Sequence, residues 1–200
     1  MKNNNEQLAL SKNQVDSVLN LYSSGKINEA IDSIKALNEN YPNVPLLFNL
    51  LGACYISLKQ LDGAVQMFET AFAIKPDYSE AYFNHGMALR ELGRLDEAVK
   101  SYKTAIGLIS NYPEAHNKLG IAYIDLNQYD AAIEHFEWAV AYKHDFAEAY
   151  NNLGVAHREK GELESSIKNF EKAITHNSFY SLAESNLASV RKELEQKNGQ

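Results

Sequence analysis

The chain has 200 residues, 45% apolar and 22% charged, a composition typical of a folded protein and too apolar for a disordered one. Its net charge of −7 disfavours nucleic acid and anionic membranes as partners, because either would require a basic surface. A single cysteine, Cys54, excludes an intramolecular disulfide. The first residues lack the apolar core of a signal peptide, so we predict a soluble, cytoplasmic protein.

Glycine, alanine and aromatic residues all recur at one interval of 34 residues. The glycines are Gly52, Gly86, Gly120 and Gly154, and the aromatic residues are Phe68, Tyr102, Phe136 and Phe170. Two alanine series keep the same spacing: Ala64, Ala98 and Ala132, and Ala71, Ala105, Ala139 and Ala173. A fixed period with no insertion, shared by several residue types, predicts an array of structural repeats.

In chain order, the period predicts a polar N-terminal extension, five repeats, a capping helix and a short tail. The extension is 1–10, the repeats are 11–44, 45–78, 79–112, 113–146 and 147–180, the capping helix is 181–197 and the tail is 198–200. Apolar residues in each repeat follow two stripes at helical spacing, which predicts two helices joined by a turn. Gly25, Gly93 and Gly161 fall in that turn, where a left-handed helix end suits glycine.

Polar and proline residues mark the helix ends. An Asn or Asp is expected to cap the second helix in four repeats, at Asn28, Asp62, Asp96 and Asp130. All four prolines lie between repeats, so none interrupts a helix interior. In the last segment, Ala183, Leu187, Val190 and Leu194 form an apolar stripe that we expect to cover the fifth repeat.

These residues carry a family resemblance over about residues 11–197. The second repeat has every residue of the pattern: Phe48, Leu51-Gly52, Tyr55, Ala64, Phe68, Ala71 and Pro76. The chain therefore resembles the tetratricopeptide repeat (TPR) family. The resemblance implies an all-α fold, a right-handed superhelical solenoid of five helix-turn-helix hairpins plus a C-terminal capping helix. It also implies binding of other proteins or peptides.

In that family the first helix of each repeat lines a concave groove that contacts the ligand. Transferred to this chain, the peptide-binding residues are Asn49, Phe83, Asn84, Met87, Arg90, Asn117, Lys118, Ile121, Asn151, Asn152, Val155, Arg158 and Asn186. An asparagine side chain both donates and accepts, so it can pair with a peptide main chain of any sequence. The alternative to ligand binding is that these residues only support the fold, because inward-facing residues near the middle of a helix are partly buried by neighbouring repeats.

No residue pattern indicates chemistry. The six histidines form no pair at the spacing of a helical metal site, and Cys54 lies on a packing face of its helix. The sequence has no glycine-rich loop of the kind that binds phosphate. We interpret Trp138 as a packing or convex-surface residue and not as a binding platform. We therefore expect no enzyme activity, no catalytic residue, no bound metal and no cofactor.

The leading hypothesis is a scaffold or adaptor that binds an extended peptide or a short helix in its groove. A second hypothesis is that the chain is the N-terminal substrate-recruiting arm of a larger bacterial glycosyltransferase, sulfotransferase or hydroxylase, since similar arrays precede such enzymes. A third is a self-associating structural unit, a homodimer formed through terminal repeats, because the first repeat departs most from the pattern.

Overall fold

The computed structural model describes residues 10–199, and eleven helices with no strand make up its regular structure within that range. In chain order they are α1 (Lys12–Ser23), α2 (Ile27–Asn40), α3 (Pro45–Ser57), α4 (Leu61–Ile74), α5 (Ser79–Glu91), α6 (Leu95–Leu108), α7 (Pro113–Asp125), α8 (Tyr129–Tyr142), α9 (Ala147–Glu159), α10 (Leu163–His176) and α11 (Ser181–Asn198). The predicted all-α fold class is confirmed. The N-terminal extension lies outside the described residues except for Leu10. Leu10 packs against the hydrophobic cluster that contains Val18, Ile34 and Leu47.

Three turns between paired helices use glycine as predicted. Gly25, Gly93 and Gly161 have φ angles of 74°, 75° and 77°, in the left-handed region. The corresponding turns of the other pairs place Lys59 and Asn127 in the same conformation, at 59° and 57°. A 34-residue period therefore repeats in the backbone as well as in the side chains.

The predicted caps of the second helices are wrong in position. Helices α2, α4 and α8 begin at Ile27, Leu61 and Tyr129, and their cap residues make no side-chain cap hydrogen bond. The expected cap residues Asn28, Asp62, Asp96 and Asp130 instead lie second in their helices, inside the first turn. The turn is two residues shorter than expected, so the three carboxylates lie in the first turn of their helices, where they interact favourably with the positive end of the helix dipole.

Close helix contact explains the periodic glycines. A Cβ atom added to Gly52, Gly120 or Gly154 would lie 2.6, 2.6 and 2.7 Å from a ring carbon of Phe68, Phe136 and Phe170. Each contact joins the first and second helix of one pair: α3 with α4, α7 with α8, and α9 with α10. The glycine leaves the space that the fully buried phenylalanine of the partner helix fills.

The chain divides into two compact units, one ending at Arg94 and the other beginning at Leu95. The N-terminal unit has a core around Val18, Ile34 and Leu47. In the C-terminal unit, α11 packs on α10 and α9, and Val190 joins Leu163 and Phe170 in a buried cluster. This helix continues to Asn198, one residue past its expected end. Within residues 10–199, none of the helices is long and apolar enough to cross a membrane.

Candidate functional site

The predicted ligand-contacting residues lie on the first helices of the pairs. In the N-terminal unit these are α3 and α5, which contact each other. In the C-terminal unit they are α7, α9 and α11, where α9 contacts both neighbours. We call the row of half-buried or exposed residues on these helices the first-helix face. In the C-terminal unit it comprises Lys118, Ile121, Asn152, Val155, Arg158 and Asn186.

An asparagine pair joins α3 to α5 in the N-terminal unit. Asn49 donates through Nδ2 to Glu80 Oε1 at 3.0 Å, and its Oδ1 accepts from Asn84 Nδ2 at 3.0 Å. A carboxylate only accepts hydrogen bonds, so Glu80 determines which way the Asn49 amide points. The Asn49 amide in turn determines the orientation of Asn84. Burial and the charge of Glu80 also raise the pKa of the adjacent Tyr78 to about 12.

The C-terminal unit carries a longer chain of the same kind. Asn186 donates to Asn151 Oδ1 at 2.9 Å, and Asn151 donates to Asn152 Oδ1 at 3.4 Å. Asn152 donates to Asn117 Oδ1 at 3.0 Å, and Asn117 donates to Glu148 Oε1 at 3.0 Å. All donors run toward the carboxylate, so one acidic residue orients four amides across three helices.

Three of the predicted site residues are buried between helices. Asn49, Asn117 and Asn151 are only 1%, 0% and 2% exposed, so they cannot present their amides to a ligand in this conformation. They lie between neighbouring first helices, where their hydrogen-bonding groups satisfy each other. Their burial favours the structural alternative at these three positions. Asn84, Asn152 and Asn186 remain half-buried at the surface.

The sequence contains a signal for these pairs that a strict 34-residue alignment misses. Each buried asparagine has another asparagine 35 residues later: Asn49 with Asn84, Asn117 with Asn152, and Asn151 with Asn186. In the other two repeats both positions change together, to Val15 with Leu50 and to Phe83 with Lys118. The spacing is one residue longer than the repeat because each buried asparagine bonds the residue that follows its own equivalent position on the next first helix. An offset of 35 would have predicted the pairing.

Charged residues of the first-helix face are paired across the same helix contacts. Lys118 bonds Glu148 at 3.1 Å. Arg158 bonds Glu193 at 2.9 Å and Ser189 at 3.2 Å. These ion pairs are partly exposed, so each contributes little to stability. The apolar members Met87 and Ile121 are half-buried, and Val155 packs against the cluster of α10 and α11. Phe83 and Arg90 are half-buried on α5.

Reactive side chains are held in packed positions. Cys54 is buried, and burial raises the pKa of its thiol to about 11, which keeps it protonated and unreactive. His157 contacts Glu162 at 2.7 Å, and His85 lies edge-on to Phe72 with ring centroids 5.3 Å apart. Across the described part of the chain, no group of three or more His, Cys, Asp or Glu could hold a metal ion.

His116 of α7, which is buried, and His135 of α8, which is half-buried, lie with their Nδ1 atoms 3.1 Å apart. One Nδ1 must donate and the other accept, so at least one of the two rings is neutral with an unprotonated Nδ1. Burial, and then the neighbouring His116, lower the pKa of His135 to about 4, while Glu134 raises it and Lys103 lowers it. Burial also lowers the pKa of His116.

We expect the C-terminal unit to lose stability as the pH falls from 6.5 toward 4. The unfolded His135 takes up a proton near its ordinary pKa of 6.5, whereas the folded one does not until about pH 4. Each pH unit in this window therefore costs at most about 1.4 kcal/mol for His135, and less because solvent screens its partly exposed ring. The measurement is urea denaturation across this range. The control is the double variant His116→Tyr with His135→Met, which removes both histidines. Other repeats have these residue types at the equivalent positions, Tyr82 and Met67. An equally steep loss in that variant would contradict the prediction.

Comparison with known proteins agrees with this architecture. Among solved structures, MamA superposes with a TM-score of 0.72 at 26% identity, over 82% of this chain and 90% of that one. YrrB, described as a TPR protein with an unusual peptide-binding site, gives 0.69 at 21% identity, over 90% of this chain and 91% of that one. FlbA of Caulobacter vibrioides is 32% identical over 66 residues, 33% of this chain. That match spans only 11% of FlbA.

Three family models, described as TPR repeat or tetratricopeptide repeat, match the sequence. Their matches cover residues 86–126, 117–181 and 47–78. Together these ranges include more than half of the chain, and they contain the periodic glycines and the phenylalanines that pack on them. The chain belongs to the tetratricopeptide repeat family.

Proposed function

We propose that the chain is a non-catalytic protein-interaction scaffold that binds an extended peptide or a short helix on the first-helix face. The TPR fold supports a protein-interaction role, and YrrB offers a relative of the same fold described as having a peptide-binding site. On this chain, the observation that carries the proposal is the first-helix face of the C-terminal unit. It combines ligand-accessible amides, apolar side chains and charges on three adjacent helices.

The asparagine chain prepares this face for a ligand. Asn186 uses one N–H group in its bond to Asn151, which leaves further amide capacity at a half-buried position. Because Glu148 orients the chain from one end, the exposed amides are held before a ligand arrives. A held amide loses less conformational entropy on binding, so preorganisation favours affinity. Each additional hydrogen bond to a peptide main chain is worth about 0.5–1.5 kcal/mol.

Asn84 and Asn152 are poor choices for testing this function. Both bond a buried asparagine, so removing either side chain also weakens the contact between first helices. A sharper variant is Lys118→Ala with Ile121→Ser and Arg158→Ala. These positions are half-buried on the first-helix face, and the ion pairs of Lys118 with Glu148 and of Arg158 with Glu193 are partly exposed, so losing them costs little stability. The matched control is Lys168→Ala with Ile174→Ser and Arg191→Ala, which changes the same residue types on α10 and α11.

The experiment is selection from a displayed library of random peptides against the wild-type chain, followed by calorimetry of the enriched peptides. We expect the first-helix variant to weaken their binding about tenfold, equivalent to about 1.4 kcal/mol, and the control variant to bind as the wild type does. Thermal melting of all three proteins checks that each is folded. Failure to enrich any peptide, or equal binding to both variants, would reject the first-helix face as the binding surface.

A further inference from the structure

The C-terminal unit carries an exposed aromatic pair on the second helix α8, separate from the first-helix face. Trp138 is 46% exposed and Tyr142 is 37% exposed. Their rings stack with centroids 5.6 Å apart at an interplanar angle of 21°. His116 of α7 contacts both, at 6.4 and 5.6 Å between centroids. The pair is thus supported from within the unit while much of its surface faces solvent.

The fold itself does not require an aromatic residue at position 138. The residues at the same place in the other four repeats are Ala36, Thr70, Thr104 and Lys172. Those helices form with small or polar side chains at this position. A tryptophan there adds apolar surface that the packing of α8 leaves nearly half exposed. Packing therefore does not explain Trp138, which is the only tryptophan of the chain.

Acidic residues accompany the aromatic pair. Glu134 and Glu137 are exposed on α8, four residues and one residue before Trp138. Residues four apart on a helix share a face, so Glu134, Trp138 and Tyr142 form one row. The charge of Glu134 acts on both His116 and His135 beneath the pair. Residues 95–200 contain 16 Asp and Glu against 11 Lys and Arg, so the surroundings also favour positive charge.

Aromatic rings of this unit already attract its own cations. Lys103 lies over Tyr123 at 5.6 Å from the ring centroid, Lys143 over Phe146 at 4.6 Å, and Lys172 over Tyr150 at 5.3 Å. A cation is drawn to the negative face of an aromatic ring, and most strongly to that of tryptophan. Trp138 and Tyr142 offer the same chemistry to a group that comes from outside the chain.

We propose that Trp138 and Tyr142, together with Glu134 and Glu137, dock an arginine-bearing cationic segment of a partner protein. The occupant is cationic because exposed aromatic faces and two carboxylates share one side of α8. Arginine fits better than lysine, since its planar guanidinium stacks on aromatic rings and is more weakly hydrated. This surface is independent of the first-helix face, so the chain can hold two partners at once.

The single tryptophan makes the proposal directly testable. We expect an oligoarginine peptide to change the fluorescence of Trp138 saturably, and an oligolysine of equal length to bind more weakly. In calorimetry, Trp138→Thr should weaken oligoarginine binding about threefold. Threonine is a conservative choice for folding because Thr70 and Thr104 occupy this place in other repeats. Unchanged affinity in Trp138→Thr would overturn the proposal, as would preferential binding of an oligoglutamate.

A charge-matched control separates docking from general attraction to an acidic protein. Glu134→Gln with Glu137→Gln removes two charges beside Trp138, and Asp32→Asn with Glu39→Gln removes two exposed charges from α2. We expect the α8 variant to lose several-fold in affinity for oligoarginine and the α2 variant to lose much less. Equal losses would show non-specific attraction by net charge and overturn the assignment of the surface. Circular dichroism confirms the folded state of every variant.

Discussion

Gly120→Leu should destabilise the protein by about 3 kcal/mol or more and lower its melting temperature. The first added atom would lie 2.6 Å from Phe136 Cε1, well inside van der Waals contact, and the remaining leucine atoms extend further into the same space. Phe136 is fully buried, so its ring cannot move aside without displacing α8. Overpacking of a filled core costs about 1–3 kcal/mol and sometimes more.

Gly107 provides the control for this substitution. It lies within α6, and a Cβ atom added there would meet nothing within 4 Å. Gly107→Ala should therefore stabilise the protein by about 0.5–1 kcal/mol, because alanine restricts the unfolded chain and favours helix. Differential scanning calorimetry of the two variants measures both effects. An unchanged melting temperature for Gly120→Leu would contradict the close-packing explanation of the periodic glycines.

Asn117→Ala should cost about 2–3 kcal/mol in the free energy of unfolding. The change removes the donor to Glu148 and the acceptor for Asn152, and it leaves a small cavity at a fully buried position. An unpaired buried polar group costs about 1–3 kcal/mol. Asn20→Ala, an exposed change within α1, is the control and should be nearly neutral. Urea denaturation gives both values.

A double-mutant cycle with Asn152→Ala tests whether these two residues act as a pair. We expect a coupling free energy above about 0.5 kcal/mol, because each amide loses its partner in the single variants. Additive effects of Asn117→Ala and Asn152→Ala would show that the 3.0 Å hydrogen bond contributes nothing measurable. The same cycle on Asn49 and Asn84 examines the corresponding pair of the N-terminal unit.

The sequence located the asparagines on the first helices but did not distinguish the surface ones from the buried ones. Asn84, Asn152 and Asn186 lie at the surface, as the family pattern implies. Asn49, Asn117 and Asn151 do not, although each adjoins a position of the same helix face. Successive residues of a helix differ by about 100° in direction, so a shift of one residue turns an amide from the ligand toward the neighbouring helix. A strict 34-residue alignment does not resolve that rotation, whereas the 35-residue spacing of the paired asparagines reflects it.

The sequence by itself determined the all-α class, the placement of the helices and the glycine turns, because each follows from local periodicity repeated every 34 residues. It also marked the glycines where helices approach closely. Only the tertiary structure decided which asparagines are buried, that Asp62 and Asp130 lie inside their helices, and that His116 meets His135. It also showed Trp138 to be exposed. These features depend on how one helix is rotated against the next, which is set by packing between residues distant in sequence.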